Sequence, residues 1–303
     1  YDDRYGEPNF YSIKECTQCR HYCTFPRINN NQLSALYGNF YPRKNINLES
    51  IVKEAKKESS KFSGFFRWLK GTNNQGQFYA KKDDLFLDIG CGSGVSLIEA
   101  EYLGANAFGL EADPNVEKIT KALNLNIFQG NLDESPLKDI SFNLIVLNQV
   151  IEHIPEPDIL LESLNTKITK DGLIIISLPN INSFWRFLFK EKWINWHVPY
   201  HLHHFNDKNF IRLINKCGFQ IIKKKSITPN IWSLMQIRNI LNPVKIGEKN
   251  NQWISHDSSN KVNKTNKNIF NNLNIVLKTL IKILIFTPIT ILNRFIDLFG
   301  LGD

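Results

Sequence analysis

The sequence predicts an α/β fold: a Rossmann-like, doubly wound and mostly parallel sheet with helices on both faces, a helical N-terminal cap and a helical C-terminal extension. Three observations carry this. The run Leu85-Phe-Leu-Asp-Ile is apolar, ends in an acid, and feeds a glycine-rich turn before a helical segment. Five such strand signals alternate with helices between 85 and 178. Residues with ligand-type chemistry stand just past the strands' C-terminal ends, the edge at which open parallel sheets bind their ligands.

Taken in order, the first strand runs to Ile89 and the turn Gly90-Cys91-Gly92-Ser-Gly94 follows, with a helix over 95–102. Glycines there let backbone approach a ligand where a Cβ would collide. A dinucleotide fingerprint spaces its glycines Gly-x-Gly-x-x-Gly to seat a pyrophosphate. Here the pattern is Asp88-x-Gly90-x-Gly92-x-Gly94. An acid in the pocket repels a pyrophosphate but suits a cofactor with a cationic amino acid end, and S-adenosylmethionine is such a molecule. Cys91 lies inside this loop, where a crosslink would obstruct a ligand.

The second strand, 107–110, ends at Glu111, 23 positions after Asp88. That is the place of an acid accepting hydrogen bonds from two ribose hydroxyls, the plain alternative being a helix cap, which Asp113 before Pro114 fills. The third strand is 126–128; beyond it Asn131 is placed to bond the edge of an adenine and Leu132 to pack on its face. The fourth strand, 142–147, leads into Asn148, Gln149, Glu152 and His153, and a helix over 158–168. Lys170-Asp171-Gly172 reads as a turn into the fifth strand, 173–178. A helix over 207–217 ending at Gly218, and a strand over 219–224, complete the core. The pair Glu152-His153 is expected to brace its loop.

The remaining organisation is 1–45 as a partial zinc-ribbon-like segment, 46–80 as helical cap and linker, 81–230 as core, and 231–303 as a basic helical extension. Cys16 and Cys19 have the spacing of one zinc knuckle, which is half of a closed four-ligand site; buried thiols are the bland reading. His21 and Cys23 are the nearest substitutes, awkwardly two residues apart. Five cysteines form no even disulfide framework, which points to a reducing, cytoplasmic compartment. The chain does not begin with Met and reads as a fragment.

Of the net charge of +8, half sits in 241–303, where eight bases face four acids. Such a tail attracts anionic surfaces, though a solvated linker has the same composition. No nucleic acid partner is expected. The charge-free run within 283–293 contains Pro288 and falls short of the roughly 20 residues a spanning helix needs, so 274–303 is read as an interfacial helix or as a lid on the core.

Between the fifth strand and the next helix, 183–205 gathers Trp185, Trp193, Trp196, His197, His201, His203 and His204. In this fold the acceptor pocket is built there. A neutral imidazole near pH 7 suits removal of a hydroxyl proton as oxygen attacks a methyl group; structural hydrogen bonding and metal ligation are the other readings.

Four segments in this order, Leu-Asp-Ile-Gly-Cys-Gly-Ser-Gly, Gly-Leu-Glu-Ala-Asp-Pro, Ser-Phe-Asn-Leu-Ile-Val-Leu-Asn-Gln-Val-Ile-Glu-His-Ile and Asp-Gly-Leu-Ile-Ile-Ile-Ser-Leu-Pro-Asn, resemble class I S-adenosylmethionine-dependent methyltransferases. With the later His-Leu-x-His-Phe they are similar to the branch serving sugar and surface-polysaccharide pathways, and more distantly to quinone O-methyltransferases. The resemblance implies that Asp88, Gly90, Gly92 and Gly94 hold the methionine end, Glu111 the ribose, Asn131 with Leu132 the adenine, and Asn148 with Gln149 the cofactor's flank. It implies His204, then His201, as the base, and a sugar or other small-molecule acceptor. Two departures stand out. The family often has Asp at 131 and 143, and related quinone enzymes carry an acid at 149, which speaks against a metal at Gln149, Glu152 and His153. The N-terminal Tyr-Asp-Asp-Arg-Tyr-Gly and cysteine pair resemble the zinc ribbon of some sugar methyltransferases, and 298–303 resembles the lead-in to the family's last antiparallel strand. A phenol-methylating enzyme, and a noncatalytic module that binds a nucleoside or a partner, are the competing functions.

Overall fold

A computed structural model describes residues 2, 4–40, 49, 52–53, 55, 63–72, 75–113, 116–247 and 275–303. The expected helical cap lies partly outside them, as do Pro114 and the polar segment 248–267.

The central sheet has the order β5-β4-β3-β6-β7, all neighbours parallel. Its strands are β3 (Leu85–Ile89), β4 (Asn106–Glu111), β5 (Ile127–Gln129), β6 (Phe142–Asn148) and β7 (Ile168–Ser177). Chain order runs outward from β3 to β5, then returns to the other side of β3 for β6. The crevice between β3 and β6 is therefore the switch point where open sheets bind ligands.

Strand periodicity explains both faces. Phe86, Ala107, Leu144 and Val146 pack under α3 (Val95–Tyr102) and α4 (Val116–Leu123), while Leu87, Ile89, Leu110, Ile145 and Leu147 face Leu132, Leu137 and Leu164, the last on α5 (Pro157–Lys167). Asp88 shares the face of Phe86, toward α3. Asn143, where the family often has Asp, accepts the Leu85 amide at 2.8 Å and ties β6 to the start of β3.

Two expectations change. The chain passes straight from α5 into β7 without a separate turn at 170–172, because the pairing jumps from Phe142 opposite Ile168 to Leu144 opposite Leu173 and the extra residues bulge out. The expected strand at 219–224 has no ladder partner among the described residues; Phe219 is drawn into the core, but Ile222 points to solvent.

A second sheet, antiparallel and ordered β1-β2-β8, joins the N-terminal hairpin to the aromatic loop. It consists of β1 (Ser12–Glu15), β2 (Tyr22–Phe25) and β8 (His203–His204), with Cys23 opposite His203 and Tyr22 opposite His204. Helix α1 (Asn30–Asn39), opened by an Asn29–Gln32 capping box, packs Leu36 and Tyr37 around Tyr200. Further helices are α2 (Ser63–Lys70), α6 (Phe184–Phe189), α7 (Asp207–Lys216) and α8 (Asn230–Leu241), and Gly218, at φ +84°, ends α7 as expected.

The last helix, α9 (Ile275–Leu298), docks through the fully buried Asn293. The Asn293 side chain accepts from Trp185 at 3.0 Å and donates to the Asn230 side chain at 3.0 Å. It also bonds the Ser233 hydroxyl. Every bond of this amide binds the helix to the body, yet the opposite flank exposes Ile291, Phe295 and Leu298. Residues 299–303 form no strand; the Leu301 carbonyl accepts the Phe184 amide at 2.9 Å and the Asp303 carboxylate accepts the Trp193 indole at 3.1 Å. Among the described residues no helix is long and apolar enough to cross a membrane.

Candidate active site

The turn after β3 is held open by backbone conformations that side chains resist: Gly90, Gly92 and Gly94 have φ of +71°, +57° and +76°. The Gly90 and Cys91 amides both donate to the Leu110 carbonyl, at 2.7 and 3.1 Å, which fastens the turn to β4. Cys91 is buried against Gly109. A Cβ at Gly90 would lie 2.5 Å from a Val150 methyl, so the bare position seats the loop after β6; one at Gly94 would meet Leu125 at 2.7 Å. These two glycines therefore serve packing as well as access.

Glu111 bends back over this turn. Its carboxylate accepts the Gly92 amide at 2.8 Å and the Asp113 amide at 3.1 Å. Asp88 is 4% exposed: one oxygen accepts the Ser96 hydroxyl from α3, and the other is buried with no hydrogen-bond partner. Burial pushes its pKa up to about 7, against the Ser96 bond and with help from the charges of Glu111 and Glu99. An unsatisfied buried carboxylate oxygen beside a second acid is a cation's place. The ammonium of an amino acid end would fill it, and Glu111 keeps lone pairs for hydroxyl donors. The residues present thus fit S-adenosylmethionine.

On the other side of the crevice, Asn148 accepts the Ser177 hydroxyl, and the Gln149 amide donates to the Ser177 carbonyl at 2.8 Å with Gln149 at φ +58°. Asn131 is exposed just past β5. Leu132 differs from expectation: its side chain is 5% exposed and belongs to the core beside Leu110, Leu137 and Phe142, so it offers no face to an adenine. Ser96 was not singled out by sequence, although its place on the first turn of α3, eight positions after Asp88, is a readable signal.

The histidine cluster is a different environment. Glu152 is 1% exposed, and both its oxygens lack hydrogen bonds; burial pushes its pKa up to about 8. His201 Nε2 stands 3.9 Å from it, and His201 Nδ1 lies 2.8 Å from the Asn195 carbonyl, which assigns the proton to Nδ1. His153 Nδ1 lies 2.9 Å from the Tyr200 carbonyl and 3.1 Å from the Tyr37 hydroxyl. Desolvation pushes His201 and His197 well below the usual imidazole range, so both are neutral. Glu152, His153 and His201 each place a ligand atom within 4.8 Å of the others, a set able to hold a metal, and Gln149 is not in it. The Glu152 backbone carbonyl also accepts the Leu202 amide at 2.8 Å, which ties this loop to the aromatic segment.

His204, the first choice as base, is engaged structurally. Its Nε2 lies 3.1 Å from the Thr24 hydroxyl, Trp196 packs edge-on at 5.0 Å, and burial pushes its pKa down to about 3. Thr24 in turn donates to the His201 carbonyl. At the N-terminal hairpin, Cys16 and Cys19 do form a tight turn, in which the Arg20 amide donates to the Cys16 carbonyl at 2.9 Å and amides of Cys19 and Gln18 pull the exposed Cys16 thiol down. No third donor joins them among the described residues.

Comparison with known proteins gives the family of this region. Residues 67–224, just over half of the chain, match the family described as "Methyltransferase domain". A ubiquinone biosynthesis O-methyltransferase of Colwellia psychrerythraea is 27% identical over 37% of this chain and 47% of its own length. A ribosomal protein L11 methyltransferase of Lachnospira eligens is 40% identical over 23% of this chain and 21% of its own. The chain thus spans less than half the length of either. Among solved structures, an S-adenosylmethionine-dependent methyltransferase of Thermotoga maritima is 19% identical with a TM-score of 0.42, covering 57% of this chain and 80% of that one. With a parallel five-stranded sheet, an acid-flanked glycine turn at its switch point and a family match across both, the chain belongs to the class I S-adenosylmethionine-dependent methyltransferases.

Proposed function

We propose that the protein transfers a methyl group from S-adenosylmethionine to an oxygen of a sugar, nucleotide sugar or polysaccharide intermediate. The observation that carries the cofactor half is the orphaned Asp88 oxygen beside the Glu111-capped glycine turn. When bound, the cofactor supplies a methyl already activated by its sulfonium. Asp88 would hold the ammonium, Glu111 the ribose hydroxyls, and Asn131 and the Asn148-Gln149 segment the rest of the nucleoside. The remaining work is alignment of the acceptor, and removal of its proton.

For the acceptor half, support comes from the aromatic and histidine-rich wall after β7 and its likeness to sugar-modifying enzymes. The two relatives are named for ubiquinone biosynthesis and for ribosomal protein L11, and a phenolic acceptor is the runner-up. The base is assigned within the cluster at Glu152: His201 and the less buried His153 both hand their Nδ1 proton to a backbone carbonyl, which leaves Nε2 to accept. His204, bonded to Thr24, is a support for that wall. Calorimetry with S-adenosylhomocysteine tests the cofactor site, with binding that survives Asp88→Ala and Glu111→Ala counting against it. A mass-spectrometric screen for the gain of one methyl across sugar, nucleotide-sugar and phenol panels tests the acceptor.

A further inference from the structure

The hairpin that carries Cys16 and Cys19 holds a second donor group that neither cysteine belongs to. His21 and Cys23 are two residues apart on extended chain at and within β2, so their side chains fall on one face. Cys23 is paired directly with His203 on β8, which brings a third donor to that face across the ladder. The spacing that looks awkward on a turn is the right one on a strand. His203 Nδ1 lies 3.0 Å from His21 Nε2 and 3.8 Å from Cys23 Sγ. A tetrahedral ion with bonds of about 2.0 Å to nitrogen and about 2.3 Å to sulfur needs edges of roughly 3.3 and 3.6 Å, close to both.

The surroundings suit ligation. His203 Nε2 lies 3.2 Å from the Pro155 carbonyl, so its proton sits there and the Nδ1 lone pair faces the cluster, the outer-sphere arrangement typical of a metal-bound imidazole. Phe205 lines the group, with its ring 4.9 Å from that of His21 and 5.7 Å from that of His203. All three donors are half-buried, which leaves a fourth position for water.

We propose that His21, Cys23 and His203 form a zinc-binding site, apart from the cofactor crevice and without Cys16 or Cys19 among its ligands. One thiolate and two imidazoles are a donor set that zinc prefers over hard cations. On binding, the Cys23 thiol releases its proton to solvent as the sulfur–metal bond forms. The ion clamps β2 to β8, and through the Pro155 carbonyl it steadies the loop that carries Glu152 and His153.

Cobalt(II) titration of the chelator-stripped full chain reads the site directly. The expected result is a thiolate-to-cobalt charge-transfer band, displaced by zinc, that is lost in Cys23→Ser and appears only at metal concentrations at least about tenfold higher in His203→Ala. It should persist in the double variant Cys16→Ser/Cys19→Ser. A band unchanged in Cys23→Ser, a band lost only in the double variant, or binding without charge transfer would each overturn the assignment. Because His203→Ala could weaken folding, the wild-type chain supplies an independent reading. Zinc should protect Cys23, and not Cys16 or Cys19, from alkylation as mapped by peptide mass spectrometry, and equal labelling of Cys23 with and without zinc would refute the site.

Discussion

Two buried carboxylates, Asp88 in β3 and Glu152 in the loop after β6, are pushed up by the same cause, yet they are built for different partners. Asp88 lies within β3 and keeps one hydroxyl bond from Ser96 with one oxygen open, beside Glu111. Glu152 has no hydrogen bond at either oxygen and faces the neutral imidazole of His201. The first titrates at about 7 and gives up its proton readily to a bound cation. The second is a neutral acid at neutral pH, kept so by desolvation. Under the proposed function, the first would hold the cationic end of the cofactor and the second would stand with the imidazoles that take the acceptor's proton.

The largest expected effect tests that division at Asp88 and Glu111. Each charge-assisted contact contributes about 1.5–3 kcal/mol, so Asp88→Ala, which removes the ammonium's partner, should weaken S-adenosylhomocysteine at least roughly tenfold, and Asp88→Ala/Glu111→Ala at least about a hundredfold by calorimetry. In the same assay Glu152→Gln should change affinity little. Equal losses on both sides would erase the distinction.

A pH series sharpens it. Asp88 must lose its proton, at about 7 in the free protein, to hold an ammonium. Affinity should then rise with pH up to about 7 and level off, falling about tenfold per unit below, and Asp88→Asn should flatten the profile.

At Glu152 the readout is stability. The unfolded side chain releases its proton near the ordinary 4.5 and the folded one near 8, so between these values the folded state holds the extra proton and stability falls as pH rises. Glu152→Gln removes that loss. Thermal unfolding should show no gain for the variant at pH 4 and a gain of order 1–3 kcal/mol at pH 9. A pH-independent difference would mean that Glu152 is ionised in the folded state.

A last test separates the histidines. Once an acceptor is found, His153→Ala or His201→Ala should lower kcat by about a hundredfold or more with KM less affected, whereas His204→Ala should cost stability, about 1–3 kcal/mol, and alter kcat little in the protein that remains folded. A kcat loss confined to His204→Ala would restore it as the base.

The donor side was legible because its chemistry is contiguous. Asp88, the three glycines and the helix at Val95 lie within one stretch, and Glu111 is fixed by the strand repeat. The acceptor side is assembled from distant segments: Tyr37 from α1, Thr24 from β2, Asn195 and Tyr200 from the aromatic loop. Nothing in the spacing of His201, His203 and His204 tells which ring meets Thr24, which meets Glu152 and which meets Cys23. Those choices are made by the pairing of β2 with β8, a contact of some 180 residues' separation. Leu132 failed for a related reason, since a leucine after a strand reads alike whether it covers a ligand or the core.

The clearance at Gly90 joins the two sides. Since a Val150 methyl occupies the space a Cβ would take, a bulkier residue at 90 must displace Val150, which leads into the short stretch with Glu152 and His153. Damage to the turn that receives the nucleoside is thus felt, through one hydrocarbon contact, where the recipient of the methyl group would be deprotonated.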